Sequence, residues 1–225
     1  MTSFADPRGL WLCLIGPDAL EALPTDHLGW LGVDLQHGRY EVSDLAGLLR
    51  VARVPVLARA ASGDAAHLAR VLDTGVAGVI VPGVSSLAEA QGLVGAVRFP
   101  PEGRRSTGLT RSVLVGGPGR PLLLAMVETA GALDDVGAIA ALDGVDGLFV
   151  GPYDLSLSLG RPGPTDAAVV AAAARVREAA RAHGVLAGAF SGDRALDALL
   201  PADLDLLAVD TDVTLLRVGM DAVLG

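Results

Sequence analysis

The sequence predicts an α/β chain folded as a single (β/α)8 TIM barrel over residues 1–225. Three observations lead there. Eight short apolar runs recur, at 10–15, 31–35, 54–58, 78–81, 122–127, 147–150, 186–189 and 206–209. Segments with apolar residues at helical spacing separate them. The length, 225 residues, suits one such barrel near the lower end of its size range.

The runs are largely continuous in apolar residues, with Asp34 inside the second, as expected of parallel strands buried on both faces. The helices are read as 40–54, then the amphipathic 65–72, then 86–97, opened by Ser86 and Glu89 as a capping box. Next come 131–142, and 167–183, which is entered at Asp166 and stopped by Gly184. Stretches 193–200 and 213–224 complete the set. GGPGR at 116–120 is a turn, and no linker or low-complexity segment divides the chain. An open doubly wound sheet is the competing architecture. It usually carries a Gly-rich fingerprint after its first strand, and CLIGPDA at 13–19 has none.

Apolar residues make up 51% and aromatics 4%, which predicts a core of Ala, Val and Leu. The net charge is −9, and all 17 basic residues are Arg. An acidic chain with scattered Arg is a poor binder of nucleic acid or anionic membranes. The lack of Lys excludes an imine to a carbonyl substrate and a pyridoxal phosphate anchor. Cys13 stands alone, so no internal disulfide can form, and it is read as a small core residue. MTSFADPRG lacks signal-peptide features and no apolar stretch is long enough to span a bilayer. The expectation is a soluble, cytoplasmic protein.

In a barrel the strand C-termini share one face, and chemistry collects there. Asp34 lies in the second run and His37 just after it, while Arg59 follows the third, Glu128 the fifth, Gly151-Pro-Tyr-Asp154 the sixth, and Asp210 and Asp212 the eighth. Glu128 and Asp154 offer hard oxygens, which suit Mg²⁺ or Mn²⁺ better than a structural zinc. Otherwise the two acids cap helices or pair with Arg. Asp34 could hold the His37 imidazole and raise its basicity; the alternative is an exposed loop His beside an acid. A buried Arg59 needs an anion, whether a substrate carboxylate, an enolate oxygen or Glu128. His27, His67 and His183 are read as surface residues, and Arg104 and Arg105 as parts of a solvated or structural loop.

Together these motifs resemble the HpcH/HpaI family of class II, metal-dependent pyruvate aldolases, a branch of the phosphoenolpyruvate/pyruvate barrels. The matching stretches are VDLQHG (33–38), VPVLAR (54–59), DTGVAGVIVPGVSSLAEA (73–90), RFPPEGRRSTG (98–108), MVET (126–129) and GVDGLFVGPYDLSLSLG (144–160). The resemblance implies that Glu128 and Asp154 bind a divalent cation, Mg²⁺ or Mn²⁺ and conceivably Co²⁺. It implies proton transfer by His37 with support from Asp34, and contact of Arg59 with the pyruvyl oxygen. The backbone of Gly151, Pro152 and Tyr153 would cradle the 2-oxo acid carboxylate. The implied reaction is reversible aldol cleavage of 4-hydroxy-2-oxo acids to pyruvate and an aldehyde through a metal-stabilised enolate. The alternatives are a citrate-lyase-like or malyl-CoA-lyase-like enzyme and a catalytically inactive barrel. The segment 106–121 is shorter than is usual in the family, and Tyr153 is bulkier than its usual counterpart. The family's trimers or hexamers, built with an exchanged C-terminal helix, give that role to 213–224.

Overall fold

The computed structural model describes residues 4–225. Eight strands form a closed barrel: β1 Arg8–Leu12, β2 Trp30–Asp34, β3 Val56–Arg59, β4 Gly78–Val81, β5 Leu122–Val127, β6 Gly147–Val150, β7 Leu186–Phe190 and β8 Leu206–Thr211. Every neighbouring pair is parallel and in chain order, and β8 closes on β1. The predicted (β/α)8 barrel is what forms.

The predicted first strand, 10–15, ends early for an identifiable reason. The backbone amides of Cys13, Leu14 and Ile15 turn away from the sheet and donate to the buried carboxylate of Asp212, at 2.9, 2.8 and 2.8 Å. A side chain has taken over the ladder's bonding there.

The long helix Ala167–His183 forms as predicted. Asp166 accepts from the Ala168 amide at 2.9 Å, and Gly184 ends the helix at φ 68°, a left-handed conformation that glycine adopts without strain. Others are shorter than predicted. Stretch 40–54 resolves into a 3-10 turn, Val42–Asp44, and a helix, Leu45–Val51. Stretch 131–142 breaks into Ala130–Asp134 and Val136–Ala140, where Asp135 leaves the helical path and accepts from the Leu87 amide at 2.7 Å. Ser86 caps the helix Leu87–Val97, but Glu89 reaches back to Ser85 rather than closing the box on Ser86. Two short helices, Arg111–Leu114 and Pro152–Ser158, went unpredicted. No helix among the described residues is long and apolar enough to cross a membrane.

The core has two layers of different chemistry. Outward strand residues such as Leu10, Val33, Ala58, Val79, Leu123, Val127 and Leu148 pack under the helices in an aliphatic layer. Each fully buried Val or Leu contributes roughly 1.5–3 kcal/mol. The lumen holds Trp11, Trp30, Leu57, Ile80, Leu124, Met126 and Phe149. The predicted aliphatic core describes the outer layer and most of the lumen, where Leu, Ile and Ala surround Trp11, Trp30 and Phe149. These three rings fit because neighbouring strands present glycine beside each. A Cβ on Gly9 would fall 2.3 Å from the Trp30 ring, on Gly32 2.5 Å from Trp11, and on Gly188 2.5 Å from Phe149. The rings also meet one another: Trp11 stacks on Phe149 at 5.8 Å and lies edge-on to Trp30 at 6.3 Å.

Candidate active site

The two-residue period of a strand carries the lumen upward into the site. Counting from Trp30 through Gly32, the next inward position of β2 is Asp34. In β3 Leu57 is followed by Arg59, and in β5 Leu124 and Met126 lead to Glu128 one residue past the strand end. In β6 Phe149 leads to Gly151. The polar groups thus sit directly on an aromatic plug.

Asp34 and Arg59 face each other across paired strand ends, where their Cα atoms are in register. Arg59 donates through Nε to Asp34 Oδ1 at 2.9 Å and through Nη2 to Oδ2. The Trp11 indole N–H donates to the same carboxylate at 3.3 Å, and the guanidinium lies 5.3 Å from the Trp11 ring centroid. The amides of Gln36 and His37 donate to Oδ1 at 2.9 and 3.1 Å. Burial alone would raise the Asp34 pKa, but the bond from Arg59, its charge and the two amides hold it below the ordinary carboxylate range. The buried Arg59 is therefore met by Asp34, not by Glu128. Asp34 in turn holds the backbone of His37 rather than its imidazole.

Glu128 is buried, and only half of its carboxylate is used within the chain. Oε1 accepts from the Gly83 amide at 2.5 Å, while the buried Oε2 has no hydrogen-bond partner. Burial pushes its pKa up. The Gly83 amide opposes that rise, Asp154 adds to it, and Arg59 and His37 pull it down. Gly151 keeps the space beside Oε2 clear, since a Cβ there would come within 2.8 Å of that oxygen and 2.7 Å of Met126 Cε. Asp154 sits not at a strand end but in the first turn of Pro152–Ser158, exposed, four residues beyond β6. A buried carboxylate oxygen without a partner, beside a second carboxylate, fits a divalent cation. Among the described residues no group of three or more His, Cys, Asp or Glu is placed to hold a metal. Glu128 and Asp154 would therefore share it with oxygens from substrate and water.

A cavity of about 190 Å³ opens above the plug. The polar side chains of His37, Arg59 and Asp154 border it together with Trp11, Met126, Tyr153 and Phe190, and with Gly151 and Pro152. Asp212 is not part of this site, because its carboxylate is spent on the loop after β1. Asp210 caps its own strand end through the Thr211 amide at 2.7 Å. Arg105 is a buried structural residue, paired with Asp73 at 2.7 Å and lying over Phe99. His67 accepts from the Ala61 amide at 3.0 Å and steadies the loop after β3. Cys13 is inert, its thiol pushed up to about 12 by burial and by Asp34 and Asp212. Sequence reading missed Trp11, Phe190 and Gly83. The first two look like ordinary core residues in an apolar run, and an amide donor leaves no side-chain signal.

A parallel barrel that gathers carboxylates, an imidazole and a guanidinium at one mouth has the make-up of a (β/α)8 enzyme. The model of the HpcH/HpaI aldolase/citrate lyase family matches residues 8–216, and the chain belongs to that family. It is 37% identical over 197 residues to a hydroxypyruvate/pyruvate aldolase of Pseudomonas aeruginosa, spanning 79% of this chain and 73% of that protein. It is 34% identical over 227 residues to a hydroxypyruvate/pyruvate aldolase of Roseovarius nubinhibens, spanning 92% and 87%. Among solved structures, an HpcH/HpaI aldolase/citrate lyase family protein from Burkholderia cenocepacia superposes with TM-score 0.87 at 33% identity, covering 97% of this chain and 93% of that one. The chain is a carbon–carbon lyase of aldolase type.

Proposed function

We propose that this enzyme reversibly cleaves 4-hydroxy-2-oxo acids to pyruvate, or a related 2-oxo acid, and an aldehyde. The observation that carries the reading is the unpartnered Oε2 of the buried Glu128, beside the cavity that Arg59, His37 and Asp154 border. Glu128 and Asp154 would hold a divalent cation, Mg²⁺, Mn²⁺ or Co²⁺, which when bound would supply Lewis acidity to the 2-oxo acid. Arg59 keeps fixed positive charge near the keto oxygen, where negative charge grows as the C3–C4 bond breaks. Asp34 engages only Nε and one terminal nitrogen of the guanidinium, leaving the other for substrate. The Gly151 amide donates to the Val127 carbonyl at 3.2 Å, so at Gly151, Pro152 and Tyr153 the carboxylate would be met by the Tyr153 amide, with that of Asp154, in the first turn of Pro152–Ser158.

His37 is the proton carrier. In cleavage it removes the C4 hydroxyl proton, the C3–C4 bond breaks, the aldehyde leaves, and C3 is reprotonated. Addition runs the same steps backward, starting with loss of a C3 proton. Deuterium exchange into the pyruvate methyl group in D₂O tests this, since it needs no aldehyde. Exchange with Mg²⁺ or Mn²⁺ that stops with a chelator is expected; none with any divalent ion would overturn the mechanism.

The enzyme acts as a homo-oligomer, a trimer or hexamer, in the cytoplasm on small molecules. Support for assembly comes from the C-terminal helix Asp212–Leu224. Leu215, Leu216, Val218, Met220, Val223 and Leu224 on it are 49–82% exposed. So broad an apolar surface calls for cover by another copy. Sedimentation of the full chain against Leu216→Asp/Val223→Asp tests it; a wild-type monomer would remove the assembly.

A further inference from the structure

We propose that Trp11, Phe190 and Tyr153 form the aldehyde subsite, and that it selects an uncharged aldehyde with an apolar substituent over a carboxylated or phosphorylated one. This rests on the aldolase reading above.

The polar side chains lining the cavity, His37, Arg59 and Asp154, are the groups assigned to the 2-oxo acid. Much of the remaining lining is a continuous aromatic wall in which Phe190 lies 5.6 Å from Trp11 and 6.1 Å from Tyr153. The wall's polar atoms are engaged elsewhere. The Trp11 N–H is on Asp34, and the Tyr153 hydroxyl donates to the Ser191 carbonyl at 3.4 Å, linking the helix Pro152–Ser158 to the residue after β7. What remains facing the cavity is carbon.

Charge gives the second argument. Among the described residues Arg59 is the one guanidinium bordering the cavity, and Asp34 already balances it. Behind the wall the rim is acidic. Asp193 lies two residues past Ser191, whose carbonyl meets the Tyr153 hydroxyl, and Asp210 lies two residues past Ala208, the register partner of Phe190. A second anionic group, on the aldehyde, would find no guanidinium left unbalanced in the lining and would face Asp154, with Asp193 and Asp210 beyond the wall. Repulsion of that kind excludes partners as effectively as contacts recruit them.

The test compares butanal with succinic semialdehyde, four-carbon aldehydes that differ by a terminal carboxylate, in addition to pyruvate with Mn²⁺. The readout is the ratio of their kcat/KM values, so any general loss in a variant cancels. Wild type is expected to favour butanal by about tenfold or more. Phe190→Ala should reduce that ratio about tenfold. Asp193→Asn/Asp210→Asn should reduce it several-fold by admitting the carboxylate, because asparagine can retain both capping bonds. Wild-type preference for succinic semialdehyde, or a ratio unmoved in both variants, overturns the inference while leaving the aldolase reading intact. Absence of methyl exchange in pyruvate overturns that reading and this inference with it.

Discussion

Arg59 and Asp34 form a two-pronged ion pair across adjacent strand ends, and that pair binds the floor of the site to its catalytic loop. One carboxylate receives the guanidinium, the Trp11 indole and the amides of Gln36 and His37. Asp34→Asn leaves Arg59 buried and uncompensated. A stability loss of about 3–5 kcal/mol is expected, measured by urea denaturation at pH 7. Pyruvate exchange should fall at least about a hundredfold, because both Arg59 and the His37 backbone lose their anchor.

The same pair sets a pH dependence. The folded pKa of Asp34 lies below its unfolded value of about 3.9. Its stabilisation is therefore complete above about pH 4 and is lost as pH falls through the lower folded value. Urea midpoints followed from pH 5 downward should decline more steeply in wild type than in Asp34→Asn. Parallel declines would remove Asp34 as the source.

Gly151→Ala tests the carboxylate cradle. The added methyl would press on Met126 Cε and on Glu128 Oε2, at 2.7 and 2.8 Å. Mn²⁺ affinity, read by electron paramagnetic resonance of the free ion, should drop about 10–100-fold. Glu128→Gln should abolish it. Unchanged affinity in both would place the metal elsewhere.

The glycine–aromatic fit of the lumen makes Gly32→Ala costly despite its size. The methyl would fall 2.5 Å from the Trp11 ring. A loss of about 1–3 kcal/mol in unfolding free energy is expected from overpacking, and Gly32→Ala with Trp11→Leu should recover part of it.

Asp212→Ala should cost about 1–3 kcal/mol, because three amides of the loop after β1 lose their acceptor. Thermal denaturation of the two proteins checks this.

The barrel was legible because eight buried parallel strands leave eight largely continuous apolar runs, and the outward-facing half of each run needs only to be aliphatic. Asp34, His37, Arg59, Glu128 and Asp154 were legible as polar residues at or just past the ends of those runs. Their partnerships were not. For Arg59 the sequence offered Glu128 or a substrate anion, and only the register of β2 on β3 sets Asp34 opposite it. The lumen was hidden by composition. A 4% aromatic content describes the chain as a whole and conceals that both tryptophans, with Phe149 and Phe190, meet at one place. Asp212 read as a strand-end acid because its three ligating amides carry no signature in sequence.

Each ring in the lumen occupies room vacated by a glycine on the strand beside it, so neither member of such a couple is free to drift alone. Enlarging the glycine collides with the ring, and trimming the ring opens a void. Variation across descendants should be locked in step at Gly9 with Trp30, Gly32 with Trp11 and Gly188 with Phe149. Substrate range is then free to diversify at the rim, while the foundation under it changes only by paired exchange.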